Sequence, residues 1–364
     1  MADTVSYPVV RGGGPDLRAM GEWRQLMGKR VTIADVAREA GVSISSVSVA
    51  LNGGPGVSEE TRARIAEVAR STGWVPSVRG RSLSGNRAFA LGLVLQRKPE
   101  VLEADPFFAG FIGGVESILE RRDFALVLQL ASSRSGMIDR CRRLALARRI
   151  DGMFLTDIRL RDPRIPLLAM LGLPTVAINA GPGCPFPTVR QDPEPGMRDL
   201  MAHLVGLGHR RIAHVSGGKG MIHSAQRLKA WRRGLDAAGL PHGPVVQGDF
   251  TSEGGSRAAD ELLSLPEPPT AVVCANDLTA IGFIARATEI GFHVPHQVSV
   301  TGYDGIQLGS FMRPPLTTLL TSPHGLGRAA AGLLLDLIDG KPVTDVEIQP
   351  ASLIIRGSTA APPA

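Results

Sequence analysis

From Ala90 onward, short apolar runs alternate with amphipathic stretches, and this rhythm limits the possible folds more than any other feature. Runs at 90–95, 124–130, 150–156, 174–179, 211–216, 270–275 and 298–303 read as buried strands. Between them, 108–122, 196–207, 226–238 and 277–291 carry helical spacing. Strand–helix alternation predicts right-handed βαβ units and parallel sheets with helices on both faces. About 270 residues exceed one such sheet, so two lobes are expected.

The segment before Ala90 is of a different kind. Residues 1–29 show no apolar periodicity and read as a mobile tail. Thr32 can cap a helix over 33–40, with Asp35 placed three residues on to complete a capping box. Gly41 ends that helix where a positive φ is needed. Ser43 starts a second helix over 44–51, and Ser58 starts a third, with Glu59 and Glu60 in its first turn. Ile65, Val68 and Ala69 form the third helix's apolar stripe, and Gly73 stops it. Two short helices joined by a tight turn, with a third packed across them, are the helix-turn-helix layout. Ala37 and Val42 then face the core. Ser43, Ile44, Ser45 and Val49 face a major groove, and a helix of nine residues, ~13 Å long, spans no more than a few base pairs. A plain three-helix bundle is the alternative.

Charge supports the partition. The net charge is +6, and residues 1–89 carry +4 of it. That asymmetry points to an anionic partner for the N-terminal part. Three scattered cysteines (Cys141, Cys184 and Cys274) exclude a disulfide scaffold and a metal knuckle. Ordinary apolar content and small net charge exclude disorder throughout. No apolar run reaches the ~18 residues of a membrane span, and the start lacks the order of a signal peptide. The chain reads as cytoplasmic. His203, His214 and His223 have no metal-ligand spacing, and His209 reads as a strand-entry residue. With no nucleophile elbow, phosphate loop or catalytic carboxylate pair, neither an enzyme nor a cofactor is expected.

Val31-Thr32-Ile33-Ala34-Asp35-Val36-Ala37, then Ala40-Gly41-Val42-Ser43, Val47-Ser48, Leu51-Asn52, Val57-Ser58 and Thr61-Arg62 closely resemble the headpiece of the lactose-repressor (LacI/GalR) family. The similarity continues through Gly73-Trp74-Val75-Pro76 and Arg81-Ser82-Leu83 to Ser358. In the body it rests on Asp105-Pro106-Phe107-Phe108, Ala275-Asn276-Asp277, Gly302-Tyr303-Asp304 and Pro314-Pro315-Leu316-Thr317-Thr318. The resemblance implies a helix-turn-helix headpiece (30–76), a hinge helix (77–89) and a two-lobed body like the periplasmic binding proteins (90–358), with a tail at 359–364. Lobe 1 is expected at about 90–191 and 320–345, and lobe 2 at about 192–319 and 346–358.

The function implied is a homodimeric, sequence-specific repressor of transcription, released from a palindromic operator by a small sugar-like effector. A regulator that needs a nucleobase or other metabolite as corepressor has the same architecture. A free sugar-binding protein would share the body but carry an export signal and no headpiece. By resemblance, Thr32, Ser43, Ser46, Ser58 and Arg62 anchor phosphates. Arg79 and Arg81 lie by the narrow groove, and Leu83 is the wedge between central base steps. Arg227, Asn276 and Asp304 are the polar contacts to the effector, supported by Asp192 and Asp105. Phe107, Phe108, Trp231 and Tyr303 are candidates for an apolar face against the ligand, with core packing as their alternative. Asn276 and Asp304 also follow predicted strands, where ligands sit in open α/β sheets.

The chain departs from the family pattern at several places. Val49 stands where a basic or imidazole-bearing residue is frequent, and predicts an apolar base contact. Gly80 replaces the usual hinge Ala, which predicts a hinge helix that forms only on DNA. Pro193, Gly305 and Thr321 alter the pocket pattern and leave the ligand's identity open. Met27-Gly28-Lys29-Arg30 resembles a family start, so residues 1–26 read as an extension or a misassigned start.

Overall fold

The computed structural model describes residues 31–51, 54–74, 87–97 and 105–363. The tail expected at 1–29 and the hinge candidates Arg79, Gly80, Arg81 and Leu83 lie outside the described residues. The chain divides into two compact units, Met1–Asn86 and Arg87–Ala364.

In the first unit, α1 spans Ile33–Ala40, α2 Ile44–Leu51 and α3 Glu59–Ser71. The cap at Thr32 is reciprocal: Asp35 N–H donates to Thr32 Oγ1 at 3.4 Å, and Thr32 N–H donates to Asp35 Oδ2 at 3.0 Å. Gly41 takes φ +65°, which admits the sharp turn into α2. Ser43 Oγ accepts the Ser46 N–H at 3.0 Å, and Ser58 Oγ accepts the Thr61 N–H at 3.3 Å. Val36, Ala37, Ala40, Val47, Ala50, Ile65 and Ala69 form the core, with Val42 and Trp74 packed against it. Three of these seven sit on α1 at helical spacing, and the alanines let the axes approach closely.

The second unit holds two six-stranded sheets. The first lobe runs β1 (Ala90–Leu95), α4 (Pro106–Leu119), β2 (Ala125–Leu130), α5 (Arg134–Leu146), β3 (Gly152–Leu155), α6 (Arg164–Met170), β4 (Thr175–Ile178) and β5 (Thr188–Arg190). The second runs α7 (Glu194–Gly206), β6 (Ile212–Ser216), α8 (Ile222–Ala237), β7 (Val245–Gln247), α9 (Ser252–Leu263), β8 (Ala271–Cys274), α10 (Asp277–Glu289), β9 (Ser299–Asp304), α11 (Leu308–Phe311) and β10 (Thr317–Leu320). The chain then returns to the first lobe as α12 (Pro323–Ile338) and β11 (Val346–Glu347), and ends in the second as β12 (Ser352–Ile354). Strand order is β11-β5-β4-β3-β1-β2 in one sheet and β12-β10-β9-β8-β6-β7 in the other. Every pairing is parallel except β10 with β12.

Strand faces alternate as parallel sheets require. Leu91, Leu93 and Leu95 enter one core with Phe154 and Val176, whereas Ala90 and Val94 enter the opposite one with Met153 and Leu155. All seven expected strands form. The strands not singled out in the sequence (β5, β7, β10, β11 and β12) have two to four residues, too few to show a period.

Two expected boundaries need correction. Residues 346–347 belong to the first sheet: β11 pairs with β5, and Asp345 Oδ1 accepts the Thr188 N–H at 2.9 Å. The start of the expected tail is part of lobe 2. Thr359 Oγ1 meets His203 Nε2 at 3.0 Å, and Ala360 N–H donates to Ser299 Oγ at 3.0 Å. Among the described residues, no helix is long and apolar enough to cross a membrane.

Candidate functional site

The headpiece presents the N-terminal half of α2 to solvent. Ser43 and Ser45 are exposed, and Ile44 is 51% exposed, unusual for an isoleucine in so small a domain. Val49 is instead half-buried, its backbone carbonyl accepting the Gly54 N–H at 3.0 Å. Thr32 and Ser58 are exposed caps, so their hydroxyls stand at helix N-termini, where anions are favoured. Ser46 is half-buried, with its hydroxyl 2.9 Å from Ser43 Oγ. Arg62 is half-buried. Its guanidinium donates to the carbonyls of Ala50 and Gly54, at 2.9 Å for the latter, and so ties the C-terminal end of α2 to α3.

In the body, a cleft lies between the two lobes at the carboxyl ends of their strands. On the first-lobe side, Arg97 follows β1, Asp157 follows β3 and Asn179 follows β4. Arg97 Nη2 lies 2.9 Å from Asp157 Oδ2. Asp105 caps α4 by accepting the Phe107 N–H at 3.1 Å, and burial raises its carboxyl above the ordinary range, against the pull of Arg97. Phe107 and Phe108 follow on that helix, Phe108 almost wholly in the core.

On the second-lobe side, Arg227 of α8 is the central cation. Its guanidinium lies 3.6 Å over the Tyr303 ring, donates to the Ala275 carbonyl, and sits 3.7 Å from Asp304 Oδ1. Asp304 ends β9 at φ +113°. Burial raises its carboxyl well above the ordinary carboxylate range, and Arg227 only partly offsets this. Asn276 caps α10: its Oδ1 accepts from the Thr279 N–H (3.0 Å) and hydroxyl (2.6 Å), while Nδ2 donates to the Phe250 carbonyl at 3.0 Å. His223, pushed down to about 4 by burial and by Arg227, stacks on Phe250 with centroids 5.2 Å apart. A Cβ on Gly217 would stand 1.9 Å from the Phe250 ring, so only glycine leaves room for it.

The structure thus brings Arg227, Asn276, Asp304, Asp105, Phe107 and Phe108 together around one cleft. It does not bring the other three there. Trp231 is fully buried between Met197, Leu200 and Leu235 and stacks on His214 at 5.5 Å. Tyr303 is buried beneath Arg227 and orients that cation. Asp192 caps the start of α7 through the Glu194 N–H at 3.0 Å, and lines a neighbouring groove. His209 is buried, with Nδ1 2.9 Å from Thr270 Oγ1 and Nε2 3.0 Å from Ser299 Oγ, at the entry to β6. Sequence reasoning missed Arg97, Thr156, Asp157, Asn179, His223 and Phe250. The signal that located Asn276 and Asp304, a position just past a strand, would also have found Arg97, Thr156, Asp157 and Asn179.

Nine buried side-chain nitrogen or oxygen atoms among the described residues have no hydrogen-bond partner. Three of them, Arg97 Nε, Thr156 Oγ1 and Asp304 Oδ1, belong to residues that line this cleft. Burying such a group without a hydrogen bond costs about 1–3 kcal/mol, a cost that a polar ligand or ordered water reaching these atoms would offset.

Residues 32–77 match the bacterial regulatory proteins of the lacI family, and residues 201–359 match a periplasmic binding protein-like domain. Over 336 residues the chain is 34% identical to the HTH-type transcriptional repressor CytR of Escherichia coli (strain K12), covering 91% of this chain and 97% of that protein. Its fold is similar to that of the transcriptional regulator CelR in complex with cellobiose, at 32% identity and TM-score 0.70, over 90% of this chain and 100% of that one. It is also similar to the Lac repressor dimer bound to operator and the anti-inducer ONPF, at 27% identity and TM-score 0.79, over 92% and 100% of the respective chains.

Proposed function

The chain belongs to the lacI family of bacterial regulatory proteins, DNA-binding regulators of transcription, and from that premise we propose that it is a repressor released from its operator by a small, neutral, polyhydroxylated effector. The observation that carries the effector class is that three residues lining one cleft, Arg97, Thr156 and Asp304, each hold a buried polar atom with no hydrogen-bond partner (Nε, Oγ1 and Oδ1). Carboxylates, amides and guanidinium groups supply the mixed hydrogen bonding that vicinal hydroxyls need. Two arginines face three aspartates across the cleft, so its charge is nearly balanced, which disfavours a phosphorylated ligand. Phe107 and Phe250 line the cleft and supply apolar surface for the C–H side of a sugar.

In this reading Arg97, Asp105 and Asp157 hold the effector from the first lobe, and Asn276, Arg227 and Asp304 hold it from the second. A ligand bound to both lobes favours the closed arrangement by its differential affinity, typically about 1–3 kcal/mol of coupling. A homodimer acting in the cytoplasm places two headpieces on a palindromic site. Ser43, Ile44, Ser45 and Val49 read bases, while Thr32, Ser46 and Ser58 set register on phosphates. Arg79, Arg81 and Leu83 of the hinge take the minor groove at the centre.

The test begins with an operator selected from random duplex DNA by the full-length protein. Titration with a panel of mono- and disaccharides and nucleosides should yield a sugar that weakens operator binding at least fivefold. A nucleoside or nucleobase that tightens binding would replace this reading with the corepressor one. Indifference to the whole panel rejects a polyhydroxylated effector.

A further inference from the structure

Between β3 and α6 the chain forms a strap, residues 156–164, tied by one buried ion pair. Arg164 is 2% exposed. It grips the Asp162 carboxylate twice, Nε to Oδ1 at 3.0 Å and Nη2 to Oδ2 at 2.7 Å. The same Nη2 reaches back to the carbonyls of Thr156 at 2.9 Å and Asp157 at 3.3 Å. Asp162 in turn accepts the N–H groups of Arg159 (3.1 Å) and Arg164 (3.0 Å). Both ends of the segment are therefore bound to one pair, which holds non-glycine residues Asp157 and Arg161 at φ +50° and +55°.

The strap has two engagements. At its start, Thr156 and Asp157 line the cleft. Further along it crosses to the second lobe. The Leu160 N–H donates to the Gly220 carbonyl at 2.9 Å, and the Ile222 N–H donates to the Ile158 carbonyl at 2.9 Å. Arg159 Nη1 donates to the Lys219 carbonyl at 2.7 Å. Arg159 and Met221 thereby form an antiparallel bridge. Ile222 opens α8, the helix that carries His223 and Arg227 to the opposite wall of the cleft. The two walls are thus stitched together by backbone bonds made outside the covalent crossings between the lobes.

Backbone hydrogen bonds are short-ranged and directional, so a relative shift of the lobes by an ångström or more breaks the bridge instead of stretching it. We infer that the strap is the two-state element linking cleft occupancy to lobe arrangement, made when the cleft is closed and broken when it opens, with Asp162 and Arg164 as its positioning pair. This rests on the effector reading in one respect: an occupied cleft is what holds the strap closed.

The bonds at Leu160 and Ile222 flank the Arg159–Met221 pair, which is therefore a non-hydrogen-bonded pair with Cα atoms about 4.5 Å apart. That spacing lies within disulfide range. In the full-length chain carrying Cys184→Ser, the double substitution Arg159→Cys and Met221→Cys should form a disulfide that locks the strap. With no small molecule present, oxidation should change affinity for the selected operator at least tenfold, and reduction should restore it. A change of either sign supports the strap as the switch: weakening corresponds to induction, tightening to corepression. Equal affinities of the oxidised and reduced forms, with the disulfide verified by intact mass, overturn it.

Leu160, 65% exposed, gives a second test free of the disulfide. Leu160→Pro deletes one strap donor and should shift operator affinity in the sense opposite to the lock, whereas Leu160→Ala should not. If the two variants behave alike with circular dichroism unchanged, the inference fails. Failure of the effector reading is separately visible, as a wild-type protein that ignores the compound panel while the lock still shifts operator affinity.

Discussion

Arg164→Met probes the buried pair directly and has a magnitude that follows from its contacts. Methionine approximates the length of the aliphatic part of arginine, so the main loss is electrostatic. The Asp162 carboxylate would remain buried and lose both bonds from the guanidinium. Removing one partner of a buried pair typically costs about 3–5 kcal/mol, because the other charge is stranded. Adding Asp162→Asn removes that charge and keeps one acceptor oxygen, which serves only one of the two N–H groups, since Arg159 N–H uses Oδ2 and Arg164 N–H uses Oδ1. The remaining loss is one backbone N–H bond and the two bonds to the Thr156 and Asp157 carbonyls, about 1 kcal/mol each. The double variant should therefore be more stable than the single by up to about 2 kcal/mol.

The pH dependence carries an independent sign. Burial pushes the Asp162 carboxyl up, but its bonds and charge interaction with Arg164, with two backbone N–H groups, outweigh burial and hold it below the ordinary range. A depressed carboxyl contributes stability above its unfolded pKa, about 3.9, and loses it as pH falls through the folded value. In Arg164→Met burial acts with little opposition, so the carboxyl rises and can be protonated at mild acidity. Urea unfolding followed by circular dichroism should show the deficit of the single variant shrinking from pH 7 to pH 5. Equal losses for the single and double variants, or a deficit that ignores pH, would refute the reasoning.

Asp304→Asn should weaken effector binding by about 10- to 150-fold, the value of a charge-assisted hydrogen bond of about 1.5–3 kcal/mol. Because burial raises this carboxyl, wild-type affinity should fall with decreasing pH while still above the ordinary carboxylate range; calorimetry on the variant should give a flatter profile. Ile44→Ala removes the most exposed apolar side chain of α2 and should reduce specific operator affinity by about 1–3 kcal/mol, leaving binding to random DNA unchanged in filter or fluorescence titrations. Gly217→Val should displace the Phe250 ring and abolish the effector response with operator binding intact, as gel-shift titration would show. Thr32→Ala removes a reciprocal cap and should lower headpiece stability by about 1 kcal/mol, read as earlier loss of operator binding on heating.

Most of the local architecture was legible in the residues. Thr32, Gly41, Ser43 and Ser58 mark helix ends because capping involves partners two to four positions away. The strand runs were legible because both faces of a parallel sheet are buried, which makes them continuously apolar. Asn276 and Asp304 were found because they follow such runs. Trp231 and Tyr303 were misplaced for a common reason: their surroundings are set by residues on other elements. Trp231 looked like a ligand-facing aromatic on an amphipathic helix, yet α7 covers it. The same limitation hid the pairing of Arg97 with Asp157, sixty residues away.

By itself, then, the sequence determined a helix-turn-helix headpiece followed by a two-lobed α/β body, together with the exposed face at Ser43, Ile44 and Ser45. Caps, periods and strand ends are near-neighbour properties, and near neighbours are what a linear chain displays. Tertiary structure alone decided which polar atoms are left unpaired in the cleft, which aromatics vanish into the core, and that the Asp162–Arg164 strap joins the two walls. Those outcomes depend on desolvation and on hydrogen-bond geometry between segments distant in sequence, and both exist only once the chain has packed.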